Sequence, residues 1–240
     1  MRGQNRSSAV MQQRAQAPDS LDFFPTPPWA TRALCERIPS AGYLAWDPCC
    51  GEGHMVRPLQ EYFLAVAGSD VHDYGQGYEV HDFLMPFEPD GTVESEWVIT
   101  NPPFAIADQI VLRALQVATH GVAMFVRTAF LEAETRHTSL FERHPPAMIL
   151  QFVERVVLHK GILRQPGVRY FDDATGDWKT PSTATAYCWV IWSTGARPPH
   201  TRFEWIPPCR KRLERPGDYA PIAPPPAAGA PLFDALAEGA

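Results

Sequence analysis

Seven short apolar runs, separated by polar or helical stretches, constrain the fold of this chain more than any other feature of its sequence. They span residues 43–47, 65–70, 78–81, 97–101, 122–128, 148–153 and 186–193, and each has the length of a strand. Apolar residues recur at helical spacing over 106–117, and the Pro27-Pro28 pair predicts the start of a first helix that ends near Ile38. Strands that alternate with helices predict an α/β fold with a largely parallel, helix-covered sheet.

The two ends of the chain differ in composition from its middle. Residues 1–20 contain no apolar segment and are predicted to form a disordered arm, not a signal peptide. Residues 216–240 are rich in Pro and Ala and are predicted to form a disordered tail. The domain is expected to occupy 21–196, followed by a basic segment at 197–215. Within the domain, the polar stretch 157–183 predicts a long loop, and long loops in compact domains are often functional.

Charge and cysteine usage narrow the class of protein. The net charge is −6, which is not typical of a nucleic-acid binder, yet basic residues outnumber acidic ones in the segment 197–215. That cluster fits a phosphate-binding patch or an ordinary solvated face, and the sequence favours neither. The five cysteines form no C-x-x-C pair. They are therefore predicted to be reduced core residues in a cytoplasmic protein, and no residue spacing implies a metal site.

Acidic residues stand near the ends of three successive runs, where open α/β sheets bind their ligands. Asp47 precedes a glycine turn at 51–53, at which the backbone can approach a ligand closely. The turn is neither a dinucleotide fingerprint nor a phosphate loop, so it favours a cofactor that lacks a pyrophosphate. Asp70 suits a ribose diol, and the pair at 82–83 offers a carboxylate and an aromatic ring to an adenine.

The sharpest signal is Asn101-Pro102-Pro103-Phe104, which closes the fourth apolar run. Two consecutive prolines lack a backbone N–H, so they end the strand and stiffen the turn. Two fixed acceptors follow, the side-chain oxygen of Asn101 and the carbonyl of Pro102, and together they can hold both hydrogens of an aryl amine or an amide. Phe104 adds a flat face for a base. The motif therefore predicts recognition of an NH2 group.

Together with two other segments, this motif resembles the amino-group DNA methyltransferases. The other segments are Asp-Pro-Cys-Cys-Gly-Glu-Gly at 47–53 and Asp-Phe-Phe-Pro-Thr-Pro-Pro at 22–28. Their order is similar to the gamma arrangement of adenine-N6 enzymes, and small enzymes of this kind are frequent in phages and prophages. The resemblance covers roughly residues 20–193. It implies a class I, Rossmann-like fold with a mostly parallel seven-stranded sheet, helices on both faces and an antiparallel last strand.

The resemblance also implies S-adenosylmethionine as the cofactor. Residues 23–26 are then expected to hold its methionine part, Asp47 to face its amino group, Asp70 to bind its ribose and residues 82–83 to bind its adenine. The cofactor residues implied in this way are Phe23, Pro25, Thr26, Asp47, Cys49, Gly51, Gly53, Asp70, Asp82 and Phe83. The residues implied at the target amine are Asn101, Pro102, Pro103 and Phe104.

The implied reaction is direct methyl transfer to the exocyclic amine of a DNA base, with adenine N6 favoured by the motif order. Such an amine is a poor nucleophile because its lone pair is delocalised, and the two acceptors would favour a pyramidal nitrogen. No cysteine is placed as the nucleophile that carbon-5 methylation of cytosine needs, because Cys49 and Cys50 fall in the cofactor turn. A target base within a duplex must also be flipped out of the stack.

DNA is the expected partner, although little chain remains for a separate recognition domain of the kind this family often has. Base reading is expected from 129–147, 157–183 or 197–215. The plausible contacts in the long loop are Lys160, Arg164, Arg169, Tyr170 and Lys179.

Other functions stay open at this stage. Cytosine N4 presents the same two hydrogens as adenine N6, and so do amines in RNA and the amide of a protein glutamine. A non-catalytic binding module of the same fold is a further alternative. Such a module would be expected to have lost the glycine turn or Asn101, and this sequence retains both. A role beside a restriction enzyme is compatible with the sequence. Near the end of the chain, Leu232 and Phe233 faintly resemble a sliding-clamp ligand.

Overall fold

The computed structural model describes residues 22–85, 95–172, 175–195 and 198–221. The strands in these ranges are β1 (Leu44–Asp47), β2 (Ala65–Asp70), β3 (Glu79–Val80), β4 (Trp97–Thr100), β5 (Gly121–Arg127), β6 (Met148–Phe152), β7 (Tyr170–Asp172), β8 (Asp177–Lys179), β9 (Tyr187–Ser193) and β10 (Arg202–Ile206). The α-helices are α1 (Pro28–Cys35), α2 (Val56–Leu59), α3 (Ala107–Val117), α4 (Glu134–Arg136) and α5 (Arg210–Leu213).

Eight of these strands form one sheet in the order β10-β6-β9-β5-β4-β1-β2-β3. Among the described strands of this sheet, only β9 runs antiparallel to its neighbours, β5 and β6. The predicted Rossmann-like α/β class is therefore confirmed, as is the antiparallel direction of the last predicted strand. The predicted count of seven strands is wrong because β10, in the predicted basic segment, adds a parallel edge strand next to β6.

The core lies on both faces of the sheet. In β5, Ala123 and Phe125 belong to one buried cluster, and the residues between and beside them belong to the other, as the two-residue period of a strand requires. Helix α1 packs into the first cluster through Trp29 and Leu34. Helix α3 packs into the second cluster through Ile110. Helices thus cover both faces, as predicted.

Helix α1 joins the two ends of the described fold. Pro28 stands in its first turn, where a missing N–H costs nothing, and the helix ends at Cys35, earlier than predicted. Arg32 on α1 is buried, donates to Glu61 at 2.8 Å and to Asp218 at 2.7 Å, and so connects the helix with residues well beyond the predicted domain end at 196. The fold therefore includes β10, α5 and the first residues of the predicted tail.

Several predictions concern residues outside the described ranges. They are the arm at 1–20, the remainder of the tail from residue 222 and the clamp-ligand residues Leu232 and Phe233. Among the helices of the described residues, none is both long and apolar enough to cross a membrane.

The predicted long loop at 157–183 contains regular structure of its own. Strands β7 and β8 form a separate two-stranded antiparallel sheet. The guanidinium of Arg164 lies 3.3 Å from the ring centroid of Tyr170, and Lys179 forms an ion pair with Asp172. Charged and aromatic side chains thus pair with each other in this segment.

Candidate active site

The carboxyl ends of three adjacent parallel strands form one side of a pocket. Strand β1 pairs with β2 on one side and with β4 on the other, so Asp47, Asp70 and Asn101 come to the same edge of the sheet. The pocket beside them is open to solvent. The residues that line it are Asp22, Phe23, Phe24, Pro25, Thr26, Asp47, Cys49, Cys50, His54, Met55, Asp70, Val71, Tyr74, Asn101 and Pro103.

The structure brings most of the predicted site residues to this pocket. The predicted residues that line it are Phe23, Pro25, Thr26, Asp47, Cys49, Asp70, Asn101 and Pro103. The predicted residues that do not line it are Gly51, Gly53, Asp82, Phe83, Pro102 and Phe104. Pro102 is buried beside Asn101, in the turn that separates β4 from a single 3-10 turn at Phe104–Ile106.

An extended N-terminal segment, residues 22–26, forms another wall of the pocket. One carboxylate oxygen of Asp22 accepts a hydrogen bond from the backbone N–H of Phe104 at 2.6 Å. The backbone carbonyl of Phe23 accepts one from the N–H of Gly161 at 2.8 Å. The segment therefore links the Asn-Pro-Pro-Phe motif to the loop at 157–183.

The side-chain amide of Asn101 has a defined orientation. Its Nδ2 donates to the carbonyl of Phe24 at 2.7 Å, and only the NH2 end of an amide can donate to a carbonyl. The opposite atom, Oδ1, is buried and accepts no hydrogen bond from any described residue. A buried acceptor without a partner is costly, so this oxygen is suited to a donor that a ligand brings.

Asp47 is a buried carboxylate on the pocket wall. It is 1% exposed, and burial raises its pKa to about 7, against the opposing effect of the Cys49 N–H, which donates to it at 3.3 Å. The hydroxyl of Thr26 is also buried and without a hydrogen-bond partner among the described residues. A cation at Asp47 and an acceptor at Thr26 would satisfy both groups.

The glycine turn lies against Phe23 of the pocket wall and holds Asp70. Gly51 has a φ of +51° and donates its N–H to Asp70 Oδ2 at 2.9 Å. A Cβ at Gly51 would lie 2.4 Å from the ring of Phe23, and one at Gly53 would lie 2.0 Å from the hydroxyl oxygen of Tyr78. Both positions therefore require glycine, for backbone conformation and for space.

The structure does not bring the pair predicted to bind adenine to the pocket. Phe83 is 3% exposed and packs edge-on against Trp46 at 5.0 Å, while Asp82 accepts the N–H of Leu84 at 3.0 Å. Seven lining residues were not among the predicted site residues, and two of them, Val71 and Tyr74, lie just after β2. Val71 directly follows Asp70, the predicted ribose residue at the end of β2, so its position in the sequence could have indicated that it lies at the site. No sequence feature indicates Tyr74.

Phe104 does not present a free ring face on its Arg127 side. The guanidinium carbon of Arg127 lies 3.9 Å from the centroid of the Phe104 ring, and the ring of Phe24 lies 5.2 Å away at 41°. Arg127 ends β5, the strand next to β4. No sequence motif indicated that this residue would lie against Phe104.

The thiols of the site are not disposed to act as nucleophiles. Cys49 and Cys50 border the pocket, and burial raises the pKa of both thiols far above the usual value. All five cysteines are free, as expected of reduced core residues. Among the described residues, no group of three or more metal-binding side chains is close enough together to hold a metal ion.

The basic segment is largely neutralised by its own surroundings, which favours a structural role over a phosphate-binding patch. Each of its described arginines forms an ion pair. The pairs are Arg202–Glu204, Arg210–Glu214, Arg212–Glu36 and Arg215–Glu61.

Comparison with known proteins identifies similar structures but no sequence relatives. Neither a protein-family model nor a curated protein matches this sequence. The precorrin-6y methyltransferase of Geobacter metallireducens is 12% identical, with 68% of this chain and 86% of that chain covered and a TM-score of 0.43. The magnesium protoporphyrin IX methyltransferase of Synechocystis, solved with bound S-adenosylmethionine, is 13% identical, with 69% and 75% covered and a TM-score of 0.40. A TehB-like methyltransferase of Corynebacterium glutamicum is 11% identical, with 77% and 95% covered and a TM-score of 0.40. Likenesses at this level carry no information on substrate.

Proposed function

We propose that this protein is an S-adenosylmethionine-dependent methyltransferase whose substrate is the exocyclic amine of a DNA base, adenine N6. The observation that carries the proposal is the buried, unpartnered Oδ1 of Asn101 on the wall of a pocket rich in carboxylates. Its orientation is fixed by the bond from Nδ2 to Phe24, so the acceptor is in place before a substrate arrives.

The charges of the pocket fit the proposed cofactor. Asp22, Asp47 and Asp70 all line it, and a ligand that carries a sulfonium and an ammonium group would offset their charge. Asp47 suits the ammonium group, and the hydroxyl of Thr26 suits the carboxylate of the same amino-acid moiety. Asp70, held by the Gly51 N–H, keeps lone pairs for a ribose diol. When bound, S-adenosylmethionine supplies an electrophilic methyl group.

The protein's part in the reaction is positioning and electrostatics. Asn101 Oδ1 accepts one N–H of the target amine, and the carbonyl of Pro102, which lies in the same turn outside the pocket lining, would accept the other. Two acceptors on one nitrogen favour a pyramidal geometry, in which the lone pair is no longer delocalised into the ring and points at the methyl donor. The raised pKa values of the cysteine thiols fit a direct transfer without a covalent protein intermediate.

DNA is favoured over other amine carriers by the N-terminal Phe-Pro-Thr-Pro-Pro segment and by the loop at 157–183, while the order of the three motifs favours adenine. That loop adjoins the site through the Gly161–Phe23 hydrogen bond and carries Arg164 stacked on Tyr170. Stacked arginine and aromatic side chains are common at nucleic-acid surfaces.

The test is to incubate the purified protein with unmethylated genomic DNA and S-adenosylmethionine and to analyse the digested nucleosides by mass spectrometry. N6-methyladenine is the expected product. The matched variant Asn101→Ala should bind the cofactor with an affinity near that of the wild type in calorimetry, while its methylation rate falls by about 10²–10³-fold.

Other products would revise the proposal in defined ways. N4-methylcytosine would retain the mechanism and overturn the base assignment. Cofactor binding without a methylated deoxynucleoside would overturn DNA as the substrate and lead to RNA and glutamine amides as the next substrates to assay. A protein that binds no cofactor would be a binding module, and the proposal would be wrong.

A further inference from the structure

Arg127 occupies a position at the target end of the site that the mechanism above does not use. It ends β5, and its guanidinium covers one face of the Phe104 ring at 3.9 Å. A planar guanidinium on an aromatic face resembles a stacked base in shape and in the area that it covers. A base cannot occupy this face of Phe104 while Arg127 lies on it.

The guanidinium of Arg127 is only partly satisfied by its neighbours. Arg127 forms no ion pair with any carboxylate of the described residues, and its Nε is buried without a hydrogen-bond partner. The described arginines of the basic segment, by contrast, each pair with a glutamate. An unsatisfied buried donor destabilises the free protein, and such groups mark sites at which a ligand completes the bonding.

The surroundings of Arg127 keep it next to the site. In the sheet it stands opposite Tyr187, whose phenol has a pKa raised by burial. The charge of the guanidinium and its hydrogen bond to the phenol oxygen oppose that effect. Asp22 is also close enough to affect Tyr187, and its carboxylate holds the Phe104 N–H. Arg127 therefore lies beside the motif that the proposed function assigns to the target base.

We infer that Arg127 is a specificity-determining residue with two states. In the free protein its guanidinium occupies the place of the target base on Phe104. When the base enters, the guanidinium moves aside and pairs with the backbone phosphate next to the flipped nucleotide, because guanidinium and phosphate form bidentate charge-assisted bonds. The inference rests on the proposed function. It adds that the protein recognises an anionic phosphodiester beside the target base.

The two states predict effects of opposite sign for Arg127→Ala. The probes are 2′-deoxyadenosine and the trinucleotide d(TAT), each titrated by calorimetry into full-length protein saturated with S-adenosylhomocysteine, which keeps the probes out of the cofactor site. The variant should bind the trinucleotide about tenfold more weakly because the phosphate contact is lost. It should bind the nucleoside at least as tightly as the wild type because the ring face is free.

A neutral probe isolates the phosphate contact. Replacement of the phosphates of d(TAT) by methylphosphonates should weaken binding to the wild type about tenfold and leave binding to Arg127→Ala unchanged. Arg127→Lys, which keeps the charge without the planar stack, should retain the preference for the charged probe. Arg202→Ala is the control. It removes one positive charge at the start of the edge strand β10, away from the end of β5 at which Arg127 stands, and it should behave as the wild type.

The outcomes separate this inference from the proposed function. Weaker binding of both probes to Arg127→Ala would indicate a merely structural role, and discrimination equal to that of the wild type would exclude the phosphate contact. Either result overturns the inference, and so does a wild type that binds neither probe. Detection of methylated bases in genomic DNA reports on the proposed function independently of all three results.

Discussion

The side-chain amide of Asn101 and the backbone carbonyl of Phe24 are joined by a hydrogen bond of 2.7 Å. Phe24 belongs to the N-terminal segment, and Asn101 begins the turn after β4, so two parts of the chain far apart in sequence define one acceptor. The bond fixes which end of the amide faces the pocket. Under the proposed function, the N-terminal segment would therefore contribute to the target end of the site as well as to the cofactor end.

Asn101→Asp tests this dependence. A carboxylate would direct an oxygen at the Phe24 carbonyl in place of the NH2 group, and two acceptors at 2.7 Å repel each other. We expect a lower melting temperature and severalfold weaker binding of S-adenosylhomocysteine at pH 8. The isosteric control is Gln116→Glu on the exposed face of α3, which should change neither quantity. Wild-type affinity and melting temperature in Asn101→Asp would contradict the expected repulsion.

Gly51→Ala separates backbone strain from loss of space. The new Cβ would stand 2.4 Å from the Phe23 ring, so the ring must leave the pocket wall. Gly42 also has a positive φ, but a Cβ at that position would have no other atom within 4 Å, which makes Gly42→Ala a matched control. Both variants should lose about 1–2 kcal/mol of stability from the left-handed backbone.

Only Gly51→Ala should also lose affinity for S-adenosylhomocysteine, by tenfold or more, in calorimetric titrations. Equal affinities of the two variants would mean that the position of Phe23 has no influence on cofactor binding.

The parts of the fold that were predictable from sequence are those in which one residue pattern has one physical outcome. Alternate residues of β5 enter different buried clusters, and a strand buried on both faces must be a continuous apolar run. The site edge was predictable for a related reason, because the parallel direction of β1, β2 and β4 brings Asp47, Asp70 and Asn101 together.

The parts that were missed depend on packing between distant segments. Strand β10 is exposed at Arg202, Phe203 and Trp205, and it fully buries only Ile206, so its sequence does not show the apolar run expected of a strand. Arg127 was missed because no local sequence pattern encodes its contact with Phe104. The adenine prediction for residues 82–83 rested on strand-end position, residue type and the family resemblance, and none of these determines that the Phe83 ring turns towards Trp46.

Cofactor binding should depend on pH through Asp47. Burial raises the pKa of this carboxyl to about 7 in the free protein, and a cationic amino group binds the ionised form. The affinity for S-adenosylhomocysteine should be constant above pH 7 and fall by up to about tenfold for each pH unit below it. Calorimetry from pH 5.5 to 8.5 measures this. Asp47→Asn should bind weakly with little pH dependence, and the exposed control Asp177→Asn should follow the wild type.

The same carboxyl should destabilise the apo fold at high pH. Its pKa in the folded state lies above the unfolded value of 3.8, so the folded state holds the proton more tightly and stability is lost as the pH rises from about 4 to 7. Asp47→Asn removes this loss. Its advantage over the wild type in urea unfolding should be about 2–3 kcal/mol larger at pH 8 than at pH 5. An advantage that does not change with pH would contradict the raised pKa.

Arg32 should be the most costly ion-pair residue to replace, because one of its partners, Asp218, is buried with it. The Arg32–Asp218 pair has side chains 4% and 6% exposed, while the Arg202–Glu204 pair is 62% and 40% exposed. Arg32→Met leaves the Asp218 carboxylate without its guanidinium partner, and loss of one member of a buried pair costs about 3–5 kcal/mol. Arg202→Met should cost less than about 1 kcal/mol. Urea denaturation at pH 7 measures both.

A second substitution tests whether the orphaned charge is the cause. Asp218→Asn in the Arg32→Met background removes the buried charge but keeps an oxygen that can accept the Arg215 N–H, which donates to Asp218 at 2.8 Å. The double variant should therefore recover part of the lost stability, although each single change is destabilising. If the two losses simply add, the cost of Arg32→Met comes from lost packing of α1 against the C-terminal residues and not from an unpaired carboxylate.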